Sequence, residues 1–391
     1  MSDTRKTTKP NVPNLRFPGF SGEWASRRIG EDCTVNMCKR IFANQTSEQG
    51  DVPFFKIGTI GGTPDAYITR DLFEEYKAKY NYPHEGEVMI TCAGTVGKTI
   101  VFDGEDAYFQ DSNIVWLSNP KQLYINSFLN YVLSRVNWNI LNSTTITRIY
   151  NDNLRELVIN YPSIKEQEKI VALLSLLDRR IAIQNKVIED LKKLKTALEE
   201  RMLGQCQGKQ VRLRDILIER VEKSRINNQY EVLSSTVSGI YSQREYFNKE
   251  IASADNTGYK AIHRGDVVLS PQNLWMGNIN YNDRFEIGIV SPSYKVFSID
   301  EKFDKGYIAF LLKTRKALWA YSLVSEQGAS IVRRNLNYES FLEISFVIPS
   351  LKEQQATARR LSAFKQKQTM EEAFLRSLLL QKEFMLKSLF I

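Results

Sequence analysis

Histidine is scarce in this chain: only His84 and His263 occur in 391 residues. That leaves no H-E-x-x-H zinc motif and no Ser-His-Asp constellation. Both histidines precede a glycine-acid-valine run, in His84-Glu85-Gly86-Glu87-Val88 and His263-Arg264-Gly265-Asp266-Val267. Matching places of this kind read as turns rather than catalysis. Cysteine is also sparse. Cys33, Cys38, Cys92 and Cys206 show no C-x-x-C spacing, which argues against structural zinc and for free thiols. No apolar run nears the roughly 18 residues of a membrane span. The longest, from Ile170 to Leu177, is interrupted by Ser175. Met1 to Pro10 is polar and lacks a signal-peptide core. The expectation is a soluble, cytoplasmic protein.

Catalytic motifs are missing too. Gly97-Lys98-Thr99 suggests a phosphate loop, but that motif needs a glycine where Cys92 stands. Ile100-Val101-Phe102 then continues as strand rather than helix. A tight turn between two strands is the simpler reading. No dinucleotide glycine motif, no N-P-P-Y methyltransferase motif and no acid-lysine nuclease cluster is present. The sequence offers no catalytic residue, no metal ligand set and no cofactor site of its own.

What is present is a duplication. The stretch from Tyr161, YPSIKEQEKIVALLSLLDRR, aligns without a gap with IPSLKEQQATARRLSAFKQK from Ile348. Each reads as a long helix. Ser163 with Glu166, and Ser350 with Glu353, form capping-box signatures behind Pro162 and Pro349. The first apolar seam is Leu174, Leu177, Ile181, Ile188, Leu191, Leu198 and Met202; the second is Leu361, Phe364, Leu375, Leu378, Met385 and Leu389. Their three-four spacing is that of a coiled coil. Polar interruptions also correspond, Gln184 to Glu371 and Lys195 to Lys382. Antiparallel packing would pair Lys195 with Glu371 and Gln184 with Lys382.

A mixed domain precedes each rod. Strands are expected at Gly86 to Thr91, Lys98 to Phe102 and Asn113 to Leu117, with a helix from Ile125 to Arg135. In the second copy the matching strands are Gly265 to Ser270 and Tyr294 to Ser298, with a helix from Lys305 to Arg315. The predicted layout is a disordered tail over 1–14, a domain over 15–161, a rod over 162–203, a hinge over 204–209, a domain over 210–348 and a rod over 349–391. The fold class is α+β with a pseudo-twofold internal repeat.

A net charge of +8 suits a polyanionic partner. Cationic, amide and hydroxyl side chains recur in the loops of both domains. The first set is Lys39, Arg40, Lys98, Thr144, Thr145 and Arg148; the second is Ser235, Thr236, Gln272, Asn273, Trp275, Arg333, Arg334 and Asn335. Arginine and lysine read guanine, asparagine and glutamine read adenine, and hydroxyls serve bases or phosphates. Lys98 suits a phosphate better than a base, and Trp275 suits the core as well as a contact.

The chain resembles the specificity subunits of type I restriction-modification enzymes. The resemblance rests on Asn14-Leu15-Arg16-Phe17-Pro18-Gly19-Phe20 ahead of Trp24, on GEVMITCAGTVGK from Gly86, on both Pro-Ser-x-Lys-Glu-Gln helix starts and on Ser291-Pro292-Ser293-Tyr294. It spans nearly the whole chain. It implies two target recognition domains, each reading half of a bipartite, asymmetric site in double-stranded DNA. It implies two long conserved helices forming an antiparallel coiled coil that sets the spacer. Two adenine methyltransferase subunits would dock there, joined by motor-nuclease subunits. S-adenosylmethionine, ATP and magnesium would sit on those partners, in a bacterial or archaeal cytoplasm at the nucleoid. Two rival readings are a self-sufficient DNA methyltransferase or nuclease with unrecognised motifs, and a coiled-coil adaptor that binds only proteins.

Overall fold

The computed structural model describes residues 11–138, 148–247, 255–327 and 333–391. The chain divides into two compact units, Met1–Ile183 with Leu375–Ile391, and Gln184–Phe374. Each unit therefore holds one mixed domain, part of the first rod (Ile164–Gly204) and part of the second (Leu351–Ser388). At 1.5 Å per residue both rods run to roughly 60 Å.

Both domains are built on one plan. In the first, a four-stranded antiparallel sheet runs in the order Thr34–Met37, Ile114–Ser118, Val88–Thr91, Thr99–Val101. In the second, the order is Leu217–Glu219, Lys295–Ile299, Asp266–Leu269, Ile279–Tyr281. A two-stranded ribbon leads to each rod, Ala25–Arg28 with Val158–Tyr161 and Lys209–Arg212 with Ser345–Ile348.

Strand alternation splits the core into two layers. Val88, Ile90, Val115 and Leu117 face a core that includes Ile170, Leu174 and Leu177 of the first rod. Met89, Ile114 and Trp116 face an outer core with Phe54, Phe73 and Tyr108. In the second domain Val267, Leu269, Phe297 and Ile299 share a core with Leu203 and Leu361 of the rods. Val268 and Val296 face a smaller outer cluster with Leu233, Ile262 and Val290. The rod-facing layer is common to both copies, and the outer layer differs.

The helix expected from Lys305 to Arg315 stops at Leu311. A second helix, Arg315–Leu323, begins where the Thr314 hydroxyl accepts a hydrogen bond from the Ala317 N–H. That cap competes with continuing the first helix.

Within each unit the rods run antiparallel. In the first, Lys382 reaches Asp178 at 2.5 Å, and Met385, Leu386, Leu389 and Phe390 join the core of Ile170, Leu174 and Leu177. In the second, Gln184 Nε2 donates to Glu371 Oε2 at 2.5 Å and to the Glu371 carbonyl at 3.1 Å. The seam residues Leu174, Leu177, Ile181, Ile188, Leu191, Leu198, Leu361, Phe364, Leu375, Leu378 and Met385 are all buried or half-buried.

The register corrects the expected pairs. Gln184 meets Glu371 rather than Lys382, and Lys195 pairs with Glu199 of its own helix at 3.5 Å. The two registers differ by 11 residues, about three helical turns, so the same apolar face is presented in both. Carboxamide on carboxylate satisfies the half-buried layer, and each lysine keeps an acid.

The two capping boxes also diverge. Ser350 and Glu353 close theirs, the hydroxyl donating to Glu353 Oε2 at 2.7 Å. Glu166 does not return to Ser163. Its carboxylate, in a residue 2% exposed, takes Arg16 in a bidentate pair, both contacts 2.8 Å. A guanidinium fork outbids a cap where the carboxylate is buried.

The glutamine one place later anchors each rod. Gln167 donates to the Leu123 and Pro162 carbonyls at 3.0 Å and accepts from Ile125 N–H at 2.8 Å. Gln354 donates to the Pro349 carbonyl and accepts from Asp304 N–H, both at 2.9 Å. Each amide ties its rod to the start of the helix packed beside it, Asn126–Ser134 or Lys305–Leu311.

Each histidine leads into a turn rather than sitting in one: His84 precedes the turn at Glu85-Gly86, and His263 ends the strand Lys260–His263. The Glu87 carboxylate accepts from His84 N–H at 2.8 Å, and the Asp266 carboxylate from His263 N–H at 2.7 Å. Gly86 and Gly265 between them take φ of 86° and 95°, which a side chain would strain. All four cysteines are free, and burial pushes the Cys33 and Cys38 thiols up to about 12 and Cys92 to about 11. No helix of the described residues is long and apolar enough to cross a membrane, and those residues contain no metal-ligating cluster.

Candidate nucleic-acid interface

The candidate residues gather at one end of each central sheet. In the first domain this end is formed where Thr34–Met37 and Val88–Thr91 finish and where Thr99–Val101 and Ile114–Ser118 begin. Lys39 and Arg40 follow the first of these strands. Arg40 Nε contacts Asp111 Oδ2 at 2.5 Å while the arginine stays 60% exposed. Arg148 reaches the neighbouring Ser112 carbonyl at 3.4 Å and lies 5.9 Å from the Tyr150 ring. The Asp111-Ser112 turn therefore brings Arg40 and Arg148 together. Lys39 lies over the Tyr80 ring at 5.5 Å.

The glycine-rich segment is the hairpin turn between Val88–Thr91 and Thr99–Val101, as the simpler reading held. Thr91 organises it, its hydroxyl bonding the Thr95 carbonyl and accepting from Lys98 N–H at 3.1 Å. Gly94 and Gly97 adopt φ of 65° and 82°, and a Cβ on Gly97 would collide with Trp138. Lys98 is exposed along its stem, but its amine donates to the Ile60 carbonyl at 2.5 Å. Thr144 and Thr145 lie outside the described residues.

At the same end of the second sheet, a 3-10 turn, Pro271–Met276, replaces the glycine hairpin. It presents Gln272 to solvent. Asn273 turns its side-chain oxygen inward, where it is buried without a hydrogen bond. That orientation leaves Gln272 as the outward amide. Trp275 is half-buried with the Arg334 guanidinium 4.1 Å over its ring. Arg334 belongs to a short strand, Arg334–Leu336, paired with Ser325–Gln327. Arg333 and Asn335 beside it are exposed.

Ser235 corrects one expectation. It is 3% exposed. Its hydroxyl donates to Asn278 Oδ1 at 2.7 Å and accepts from Asn280 Nδ2 at 2.7 Å. It is a buried member of a polar network rather than a surface contact, because a strand hydroxyl beside two asparagines is satisfied internally. Thr236 is half-buried and starts the turn that ends at Gly239, its N–H donating to the Gly239 carbonyl at 2.8 Å.

Lys313 went unnoticed in the sequence, because it sat inside an expected helix. Its amine donates to the Gly277 carbonyl at 2.9 Å and the Val237 carbonyl at 3.0 Å, stapling the 3-10 turn to the Thr236 loop. Its stem is exposed, yet desolvation of the amine lowers its pKa to about 8. Trp319 was also missed. It is 65% exposed on Arg315–Leu323, the helix that packs on the same turn. Both domains thus end in a ledge of cations, amides and aromatic rings whose loops are tied down by backbone and buried polar bonds. Such a ledge suits hydrogen bonding to base edges and phosphates.

Residues 21–193 match the family model for the type I restriction modification DNA specificity domain. A putative type I restriction enzyme specificity subunit of Haemophilus influenzae is 48% identical over 163 residues. That stretch spans 42% of this chain and 42% of the relative. The S subunit of a type I restriction-modification system from M. genitalium superposes with a TM-score of 0.61 at 18% identity, over 97% of this chain and 99% of the other. A chain from a study of complex assembly and conformational transition of the type I R-M system gives 0.53 at 13% identity, covering 96% and 98%. Residues 21–193 are therefore similar to the type I restriction modification DNA specificity domain, and the chain over nearly its whole length shares the fold of the M. genitalium S subunit.

Proposed function

We propose that this chain is the non-catalytic specificity subunit of a type I restriction-modification complex. Each domain reads one half of a bipartite, asymmetric site in double-stranded DNA. The observation that carries this reading is the duplication. One sheet plan, twice, places a polar and cationic ledge at the same end, with different side chains in each copy. Arg40, Lys98 and Arg148 serve the first half-site; Gln272, Trp275, Arg333 and Arg334 serve the second. Different ledges mean different half-sites. The paired rods hold the spacer, because a stiff element fixes a distance that a flexible linker leaves open.

Two adenine methyltransferase subunits dock on the rods, and motor-nuclease subunits complete the assembly in the cytoplasm, at the nucleoid. Exposed apolar residues on the rods support docking. In the first unit they include Leu176, Ile183, Leu380 and Phe384; in the second, Leu194, Met370 and Phe374. Apolar side chains exposed in this number on one element mark an interaction surface. S-adenosylmethionine, ATP and magnesium belong to the partners, and the methylated adenine is flipped into a partner's pocket.

Methylation mapping tests this. The chain is co-expressed with an adenine methyltransferase subunit of its own system, and modified adenines are sequenced across the host genome. One bipartite motif with a fixed spacer, lost when the chain is omitted, is expected. A soluble complex that methylates no motif would refute the reading.

A further inference from the structure

The two units contain the same cavity. In the first, a cavity of about 210 Å³ lies where the helix Asn126–Ser134 ends against the strand Val158–Tyr161 and the end of the second rod. Val132, Arg135, Ile159, Phe390 and Ile391 line it. In the second unit a cavity of about 270 Å³ is lined by Leu311, Thr314, Phe346, Leu203 and Gly204. These are the corresponding residues of the repeat. Ile159 and Phe346, Phe390 and Leu203, and Ile391 and Gly204 each stand 187 positions apart, the separation of Gln184 and Glu371. Val132 and Arg135 map onto Leu311 and Thr314 through the helices they share. Both are clefts open to solvent where a rod meets its domain. A space of ~150 Å³ already admits benzene, so each cleft has room for an aliphatic or aromatic side chain.

The mouths carry cations. Arg135 is half-buried, has no carboxylate among the described residues and rests on the Phe390 ring at 4.8 Å. Burial lowers its pKa, as expected of a guanidinium short of both water and a counter-charge. In the second unit Lys313, Arg315 and Lys316 share the mouth with Glu199 and Glu200, and Arg315 pairs with Glu200 at 3.1 Å. Lys316 adds a cation that makes no ion pair among the described residues.

We propose that these cavities are twin docking sites, each taking an apolar side chain flanked by a carboxylate from one of two identical partner subunits. The proposal rests on the reading that two methyltransferase subunits bind this chain. A duplicated surface selects a duplicated partner, and the partner's acid supplies the charge that Arg135 lacks.

Positions 391 and 204 allow an equivalent block in each copy. Ile391 is 44% exposed, and a side chain added at Gly204 meets no atom within 4 Å. Ile391→Trp and Gly204→Trp therefore fill the mouths without entering the core. The full chain and its variants are titrated with the methyltransferase subunit, and copies bound are counted by native mass spectrometry. The wild-type chain is expected to hold two copies, each single variant one and the double variant none. Arg135→Glu weakens the first site by about tenfold or more, the scale of a reversed charge in a desolvated pair, and supplies the same test if a tryptophan variant melts early. A double variant that keeps both copies at unchanged affinity overturns the cavities alone. A wild-type chain that binds no methyltransferase subunit overturns both readings. Self-association of the chain, abolished by the same variants, would make a second copy the occupant and also overturn the proposal.

Discussion

Gln167 and Gln354 show how one side chain can fix an orientation. Each is buried and spends its amide on backbone groups at a strand exit and at a helix start. Gln167→Ala strands two carbonyls and an N–H, so a loss of about 2–4 kcal/mol is expected, the scale of unsatisfied buried polar groups. Urea denaturation measures it, and an unchanged midpoint would show that water replaces the amide. Lys313 carries a pH signature. Its folded pKa, about 8, lies below the ordinary lysine value of about 10.4. Between those values the unfolded chain holds the proton and the folded chain does not, so this residue's contribution to stability rises with pH across that window. Its exposed stem shrinks the effect. Lys313→Met should flatten the stability gain between pH 8 and 10; an identical slope would place the amine in free solvent. The neutral amine keeps two N–H donors for its two carbonyls, so the staple persists through the titration.

At the scale of elements, the rods and the common strands were legible in the sequence because their periodicities are set by burial. A seam of three-four spacing and strands such as Val88–Thr91, buried at every position, leave few alternatives. Register was not legible. Seams shifted by about three turns present the same face, and polar contacts such as Gln184 with Glu371 and Lys382 with Asp178 choose between them. Glu371→Lys should disfavour that choice, lowering the melting temperature and loosening the spacer in the methylation motif. A mutant motif of unchanged spacer would show that apolar packing alone sets the register. The ledges were partly legible. Composition pointed to Arg40 and Gln272, but not to the burial of Ser235 or the staple at Lys313, because a loop's residue types do not say which polar groups its own backbone consumes. The first capping box failed for a related reason, since Arg16 stands 150 positions from Glu166.

Across the whole molecule, the inner layers repeat while the outer layers do not. The first outer core is rich in large aromatics such as Phe73, Tyr108 and Trp116, and the second is small and aliphatic. A scaffold divided this way lets the ledges change without disturbing the rods, since substitutions on one sheet face leave the other packed. The Gln184–Glu371 contact carries a further consequence. Those two residues occupy one and the same place in the repeat, so the repeat touches itself there. A homotypic meeting of two second-rod segments in that register would set glutamate against glutamate, and like charges at a half-buried layer repel. The sameness of the halves is broken at its point of self-contact. The layer acts as a label of order, by which the first half is told apart from the second.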